Sequence, residues 1–113
     1  REEYSMHLVG NKPILSALST IYIKATVSAT ESCVVVNPTS GTISFAFMQS
    51  DAEPDTINWN AGSWETANDE YIGRCLIGPG GVITLTAGGY QVWARLIKSP
   101  ETVIDKIGDL IIY

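Results

Sequence analysis

Histidine is almost absent from this sequence of 113 residues, which has one, His7. Acid–base and nucleophilic catalysis lean on histidine, and a Cys–His pair would need His7 beside Cys33 or Cys75, which nothing in the sequence suggests. Cysteine is scarce as well. Cys33 and Cys75 form no CxxC and no His-rich cluster, so neither a zinc site nor a disulfide framework is expected. They read as small semi-buried hydrophobes, and a bridge between them stays open only if the fold brings their Cα atoms within about 7 Å. Basic residues are few and scattered, seven against twelve acidic ones, for a net charge of −5. Nucleic-acid backbones are gripped by clustered Lys and Arg, so no nucleic-acid partner is expected. No apolar run approaches the roughly 18 residues of a spanning helix, and no membrane partner is expected. The opening Arg1-Glu2-Glu3-Tyr4-Ser5 carries charge with no apolar stretch behind it, so no secretory leader is expected. No segment holds a 3.6-residue apolar stripe, and no repeat or low-complexity tract is present.

What is present is apolar content arranged with period two. Hydrophobic residues make up 45% of the chain and charged ones 17%, too apolar and too weakly charged for disorder. In Thr20–Val27, Ile21, Ile23, Ala25 and Val27 fall on one face, and Thr20, Tyr22, Lys24 and Thr26 on the other. Thr42–Met48 repeats the pattern with Ile43, Phe45 and Phe47. In Tyr90–Ile97, Tyr90, Val92, Ala94 and Leu96 oppose Gln91, Trp93, Arg95 and Ile97. This is the alternation of half-buried strands. Weaker patterns predict strands at Glu70–Ile77, Val82–Leu85 and Lys106–Tyr113, with a short edge strand at Val34–Val36 ended by Pro38. Turn residues separate these runs: Asn37 to Gly41, the glycine-rich Gly78-Pro79-Gly80-Gly81, Gly88-Gly89, and Ser99-Pro100-Glu101. The Gly78–Gly81 run lacks the lysine and the following helix of a phosphate loop and reads as a turn. The expected fold class is all-β, an antiparallel sandwich of about seven to eight strands with little or no helix. Residues 1–13 read as an N-terminal arm and 14–113 as the single sandwich domain.

Gln49–Asp69 forms a long connection, and loops of that length are often functional; it is expected to fold back and pack, with a short strand around Ser63–Thr66. Its carboxylates, Asp51, Glu53 and Asp55, with Asp69 and Glu70 beyond, raise a calcium site. Pro54 and the spacing do not match a calcium loop, and a solvated acidic loop is the favoured reading. No metal or cofactor is expected. Trp59 and Trp64 lie in the same connection, where they either pin the loop to the sandwich, the favoured reading, or offer a glycan a stacking platform with Tyr71. Trp93 and Arg95 share the outward face of their strand, an interface composition if nothing covers them.

The stretch Thr84-Leu85-Thr86-Ala87-Gly88-Gly89-Tyr90-Gln91-Val92-Trp93-Ala94-Arg95 resembles a strand entry of immunoglobulin-like domains in tailed-phage virion proteins. Ser99-Pro100-Glu101 and Gly108-Asp109-Leu110-Ile111-Ile112 take the places of that family's later motifs, and the resemblance spans roughly residues 14–113. It implies an immunoglobulin-like sandwich in a non-enzymatic virion structural protein of the head-decoration, head–tail connector or upper-baseplate type. It further implies assembly in the host cytoplasm and many symmetric copies bound to capsid, connector or tail subunits. The residues expected to make contacts are Tyr4, Met6, His7 and Leu8 of the arm, together with Trp59, Trp64, Trp93 and Arg95. The alternative is a carbohydrate-binding or adhesion module.

Overall fold

The structure, a computed structural model, describes residues 2–10, 13–31, 34–50, 52–67, 70–99 and 101–113. Among them run ten strands: β1 (Glu2–Leu8), β2 (Ile14–Leu15), β3 (Ile21–Glu31), β4 (Val34–Val36), β5 (Thr42–Met48), β6 (Asn60–Ala61), β7 (Ser63–Ala67), β8 (Glu70–Ile77), β9 (Gly88–Lys98) and β10 (Glu101–Ile112). Two short 3-10 turns, Pro38–Ser40 and Thr56–Asn58, are the helical segments among these residues.

The strands form two sheets. The first runs β1-β3-β8-β7, with β4 paired to the end of β3; the second runs β2-β10-β9-β5-β6. All pairings are antiparallel except β2 on β10. Alternation decides what each sheet turns inward. Ile23, Ala25, Val27 and Ala29 of β3 are no more than 3% exposed, as are Val92, Ala94 and Leu96 of β9. Phe45 of β5 is completely buried between the sheets. Burying a side chain of that size contributes about 2–3 kcal/mol.

The order β1-β3-β8-β7 facing β10-β9-β5, with β6 added beyond β5, is the A-B-E-D facing G-F-C-C′ arrangement of an immunoglobulin-like sandwich. Tyr90 supports the match. It lies near the start of β9, the F position, and its hydroxyl donates to Thr86 O at 2.7 Å, closing a tyrosine corner. Antibody domains place a cysteine two residues further on, where this chain has Val92, and a tryptophan on the C strand, where Phe45 fills the core. Cys75 lies on β8 as a buried free thiol, and burial pushes its pKa up to about 11. Cys33, the partner considered for it, lies outside the described residues, as do Asp51 and Asp69 of the acidic loop and Pro100 of the Ser-Pro-Glu motif.

Several expectations are corrected. Residues Glu2–Leu8, read as part of an arm, pair with β3 along their whole length. Met6 faces Val27 and is 5% exposed, while Tyr4 and Leu8 pack against the same core. Val82–Leu85 forms no strand; one bridge, Ile77 to Ile83, marks it, and Leu85 drops into the core at the corner before β9. The long connection does fold back as expected: β7 takes the place of the strand expected around Ser63–Thr66, and the two-residue β6, which was not expected, shortens it further.

Gly62 makes that shortening possible. The chain passes from the second sheet at Ala61 to the first at Ser63, and Gly62 N donates to Ile43 O at the crossing. A Cβ there would stand 3.0 Å from Ile43 O, Arg74 O and Phe45 Cε1 at once. Gly78, which ends β8 with φ of +104°, has a second reason: a Cβ would run into Ser19 O.

Candidate interaction face

The outward face of the second sheet carries the strongest grouping of chemistry in the described chain. Register places Met48, Gln91 and Asp109 in one row across β5, β9 and β10. Ala46, Trp93 and Lys106 form the next row, and Ser44, Arg95 and Ile104 the one after. Ser44 and Ala46 point outward yet are 5% and 0% exposed, so larger side chains cover them.

Trp59 joins this face through Arg95, the register neighbour of Ser44. It follows the Thr56–Asn58 turn, which is closed by Asn58 N donating to Asp55 O at 3.0 Å and by Asp55 N donating to Asn58 Oδ1 at 2.8 Å. Asn60 Nδ2 then donates to Phe45 O and Asn58 O, fixing the end of the loop against β5. The Trp59 ring thereby comes to rest under the Arg95 guanidinium, 4.8 Å from its centroid. Such a stack contributes about 0.5–2 kcal/mol, depending on how far it is desolvated.

Two donors on this face are buried without an acceptor. Trp93 Nε1 and Arg95 Nε both lack a hydrogen-bond partner. Leaving such a donor unsatisfied costs about 1–3 kcal/mol, and native structures hold few of them. The opposite sheet supplies a comparison. Arg74 of β8 also stacks on an aromatic ring, 4.4 Å from that of Tyr22, yet its Nε donates to Ser63 Oγ at 3.1 Å and its Nη1 to Glu65 Oε1 at 3.0 Å. Lys24 completes that group, 3.2 Å from Glu65 Oε2. The Arg74 side chain is tied into a structural network, whereas Arg95 Nε has no acceptor.

Around Arg95 the face is half-apolar, with exposed Ile97 and Ile104 flanking it on β9 and β10; Ile57, in the turn before Trp59, is 90% exposed. Beside Trp93 lies a shallow cleft of about 270 Å³ bounded by Met48, Gln49, Gln91, Asp109 and Ile111.

Of the residues expected from the sequence, Trp59, Trp93 and Arg95 therefore converge. The others do not join them. Tyr4, Met6 and Leu8 turn into the core. His7 sits on the outer face of the first sheet, its Nε2 2.7 Å from Ser5 Oγ. Trp64 packs against the core and donates from Nε1 to Gly41 O at 3.0 Å, tying β7 to the start of β5. Ile57 was not singled out in the sequence, because a lone isoleucine in a polar loop has no period to mark it. Among the described residues no three His, Cys, Asp or Glu side chains gather as a metal site would require. Comparison with known proteins finds no family model that matches the chain and no curated protein similar to it.

Proposed function

We propose that the chain is a non-enzymatic structural domain of a tailed-phage virion that binds a neighbouring virion protein through the outer face of its second sheet. The observation that carries the binding role is the grouping of Trp59, Trp93 and Arg95 over one sheet face, with exposed Ile97 and Ile104 beside Arg95. Tryptophan and arginine dominate the energetics of protein interfaces, and apolar neighbours that exclude water raise the value of each polar contact they surround. The virion setting comes from the resemblance of residues 84–95 and of the later Ser99–Glu101 and Gly108–Ile112 motifs to immunoglobulin-like virion domains, whose sandwich this chain shares.

The carbohydrate-binding alternative draws no support from the geometry. One ring face of Trp59 carries Arg95 and Trp64 packs against the core, which takes aromatic surface away from a sugar platform built on these residues with Tyr71.

Mass spectrometry of purified particles, with copy number taken against the major capsid protein, tests the proposal. The chain is expected in stoichiometric amount, hundreds of copies marking the head surface or tail tube and about a dozen or fewer the neck or tail tip. Its absence from particles would discard the virion reading.

A further inference from the structure

We propose that the outer edge of β10 accepts an added strand: an extended segment of a partner protein in which basic residues alternate with apolar ones. This goes beyond the outer-face reading, since it concerns the rim of the second sheet and its backbone, and it stands without the virion setting.

The edge is long and one-sided. β10 pairs with β9 from Glu101 to Ile112, yet among the described residues its other side meets only β2, at Ile111 and Ile112. Register fixes which backbone groups are left over. Gly62 N donates to Ile43 O, so Ile43 turns its peptide groups away from β9. In an antiparallel ladder these directions alternate along each strand, and the two residues of an opposed pair either face each other or both face away. Leu96, opposite Ile43, therefore faces β10 and pairs with Val103, which leaves Thr102 and Ile104 with N–H and C=O groups turned outward. The far end of the strand agrees. The bulge between Lys106 and Gly108 shifts the alternation by one residue, and beyond it Ile111 N donates outward to Pro13 O. Thr102 and Ile104 are exposed, and Thr102-Val103-Ile104 is a run of β-branched residues suited to pairing. An unpaired row of this kind is a template for another strand.

Charge names the partner. Glu101, Val103 and Asp105 share the inward side of this edge, where Asp105 is exposed, and Lys106 is held by Asp109 at 3.5 Å. A second copy fits badly. Pairing two such edges about Ile104 would set Asp105 diagonal to Glu101 and Asp105 of the copy, bringing like charges within reach of one another. A segment with lysine or arginine on that side answers both carboxylates, and its alternate residues lie beside exposed Ile104 on the other side, where apolar side chains suit. An inward-pointing charge at a sheet edge bars the wrong strand, and here it selects a basic one.

The test is hydrogen exchange and NMR titration of the isotope-labelled full chain with three short blocked peptides. One alternates valine with lysine, one alternates valine with glutamate, and one holds the valines and lysines in separate blocks. The alternating lysine peptide is expected to slow exchange at the Thr102 and Ile104 amides about tenfold or more, leaving Val103, already bonded to β9, unchanged. It is expected to bind at least about tenfold more tightly than the other two. Asp105→Lys, at an exposed position, is expected to reverse the preference toward the glutamate peptide. Ile104→Pro removes an outward donor at a position where an edge strand tolerates proline, and is expected to abolish binding while the chain still melts as a folded domain. Asp105→Lys decides alone if Ile104→Pro does not fold. No slowing at Thr102 and Ile104, or binding that ignores the charge of the peptide, overturns the proposal. Slowing at these amides that grows with protein concentration in the absence of peptide also overturns it, because the edge then takes a second copy.

Discussion

At the scale of single residues, two side chains set measurable properties of the fold. The Tyr90 hydroxyl donates to Thr86 O at 2.7 Å and lies 3.2 Å from Thr86 Oγ1, so one residue fixes the corner through which the chain enters β9. Tyr90→Phe removes that bond while keeping the ring, and is expected to cost about 1–2 kcal/mol by denaturant unfolding, with an unchanged m-value. Cys75 gives a pH signature. Desolvation raises its thiol to about 11 from an ordinary 9.0. Between those values the unfolded chain gives up the Cys75 proton and the folded chain keeps it, so stability falls as pH rises through that window. The loss amounts to about 2–3 kcal/mol in all, and none of it is present below pH 9. Unfolding free energies of wild type and Cys75→Ala, measured from pH 8 to 11, are expected to converge across the window; parallel curves would contradict the buried thiol.

At the scale of elements, what could be read from the sequence depended on length and on uninterrupted alternation. β3, β5 and β9 were legible because long runs repeat the period without a break: Ile23, Ala25 and Val27, Ile43 and Phe45, and Tyr90, Val92, Ala94 and Leu96 are buried as the alternation requires, while Ile21 at the start of β3 is 41% exposed and Phe47 is only partly buried. β1 has the same alternation in Tyr4, Met6 and Leu8, but charged residues precede it and a glycine at Gly10 follows, and it read as an arm. Its partner is β3, far along the chain, and local pattern carries no record of such a pairing. β6 has two residues, too few for any period, and exists because Asn60 is tied to Phe45 O. Val82–Leu85 has strand-forming residues but must round the corner to Tyr90, and packing of Leu85 prevails over pairing. The status of β1 is testable. Met6→Ala is expected to destabilise the chain by about 2–5 kcal/mol, as for a buried methionine in a core. A free arm would leave the unfolding midpoint where it was.

For the molecule as a whole, the two sheets differ in what their outer faces offer. The first closes its polar groups on itself: Lys24, Glu65, Arg74 and Ser63 bond to one another, and Ser5 to His7. Solvent-screened pairs of this kind contribute about 0–1 kcal/mol each. The second leaves Trp93 and Arg95 with donors unanswered beside exposed apolar side chains. The alternation of β9 named Trp93 and Arg95 as one face in advance. The Trp59 stack was not legible, because it depends on a loop returning over a strand distant in sequence. The asymmetry is the ground for proposing the second sheet as the binding face, and the most direct test of the proposed virion role is binding of the chain to isolated capsid and connector assemblies. Wild type, Arg95→Ala and His7→Ala should be compared, each first shown to melt as a folded domain. The account predicts that His7→Ala binds as wild type does and that Arg95→Ala loses about tenfold or more. Undiminished binding by Arg95→Ala, or a loss confined to His7→Ala, would contradict it.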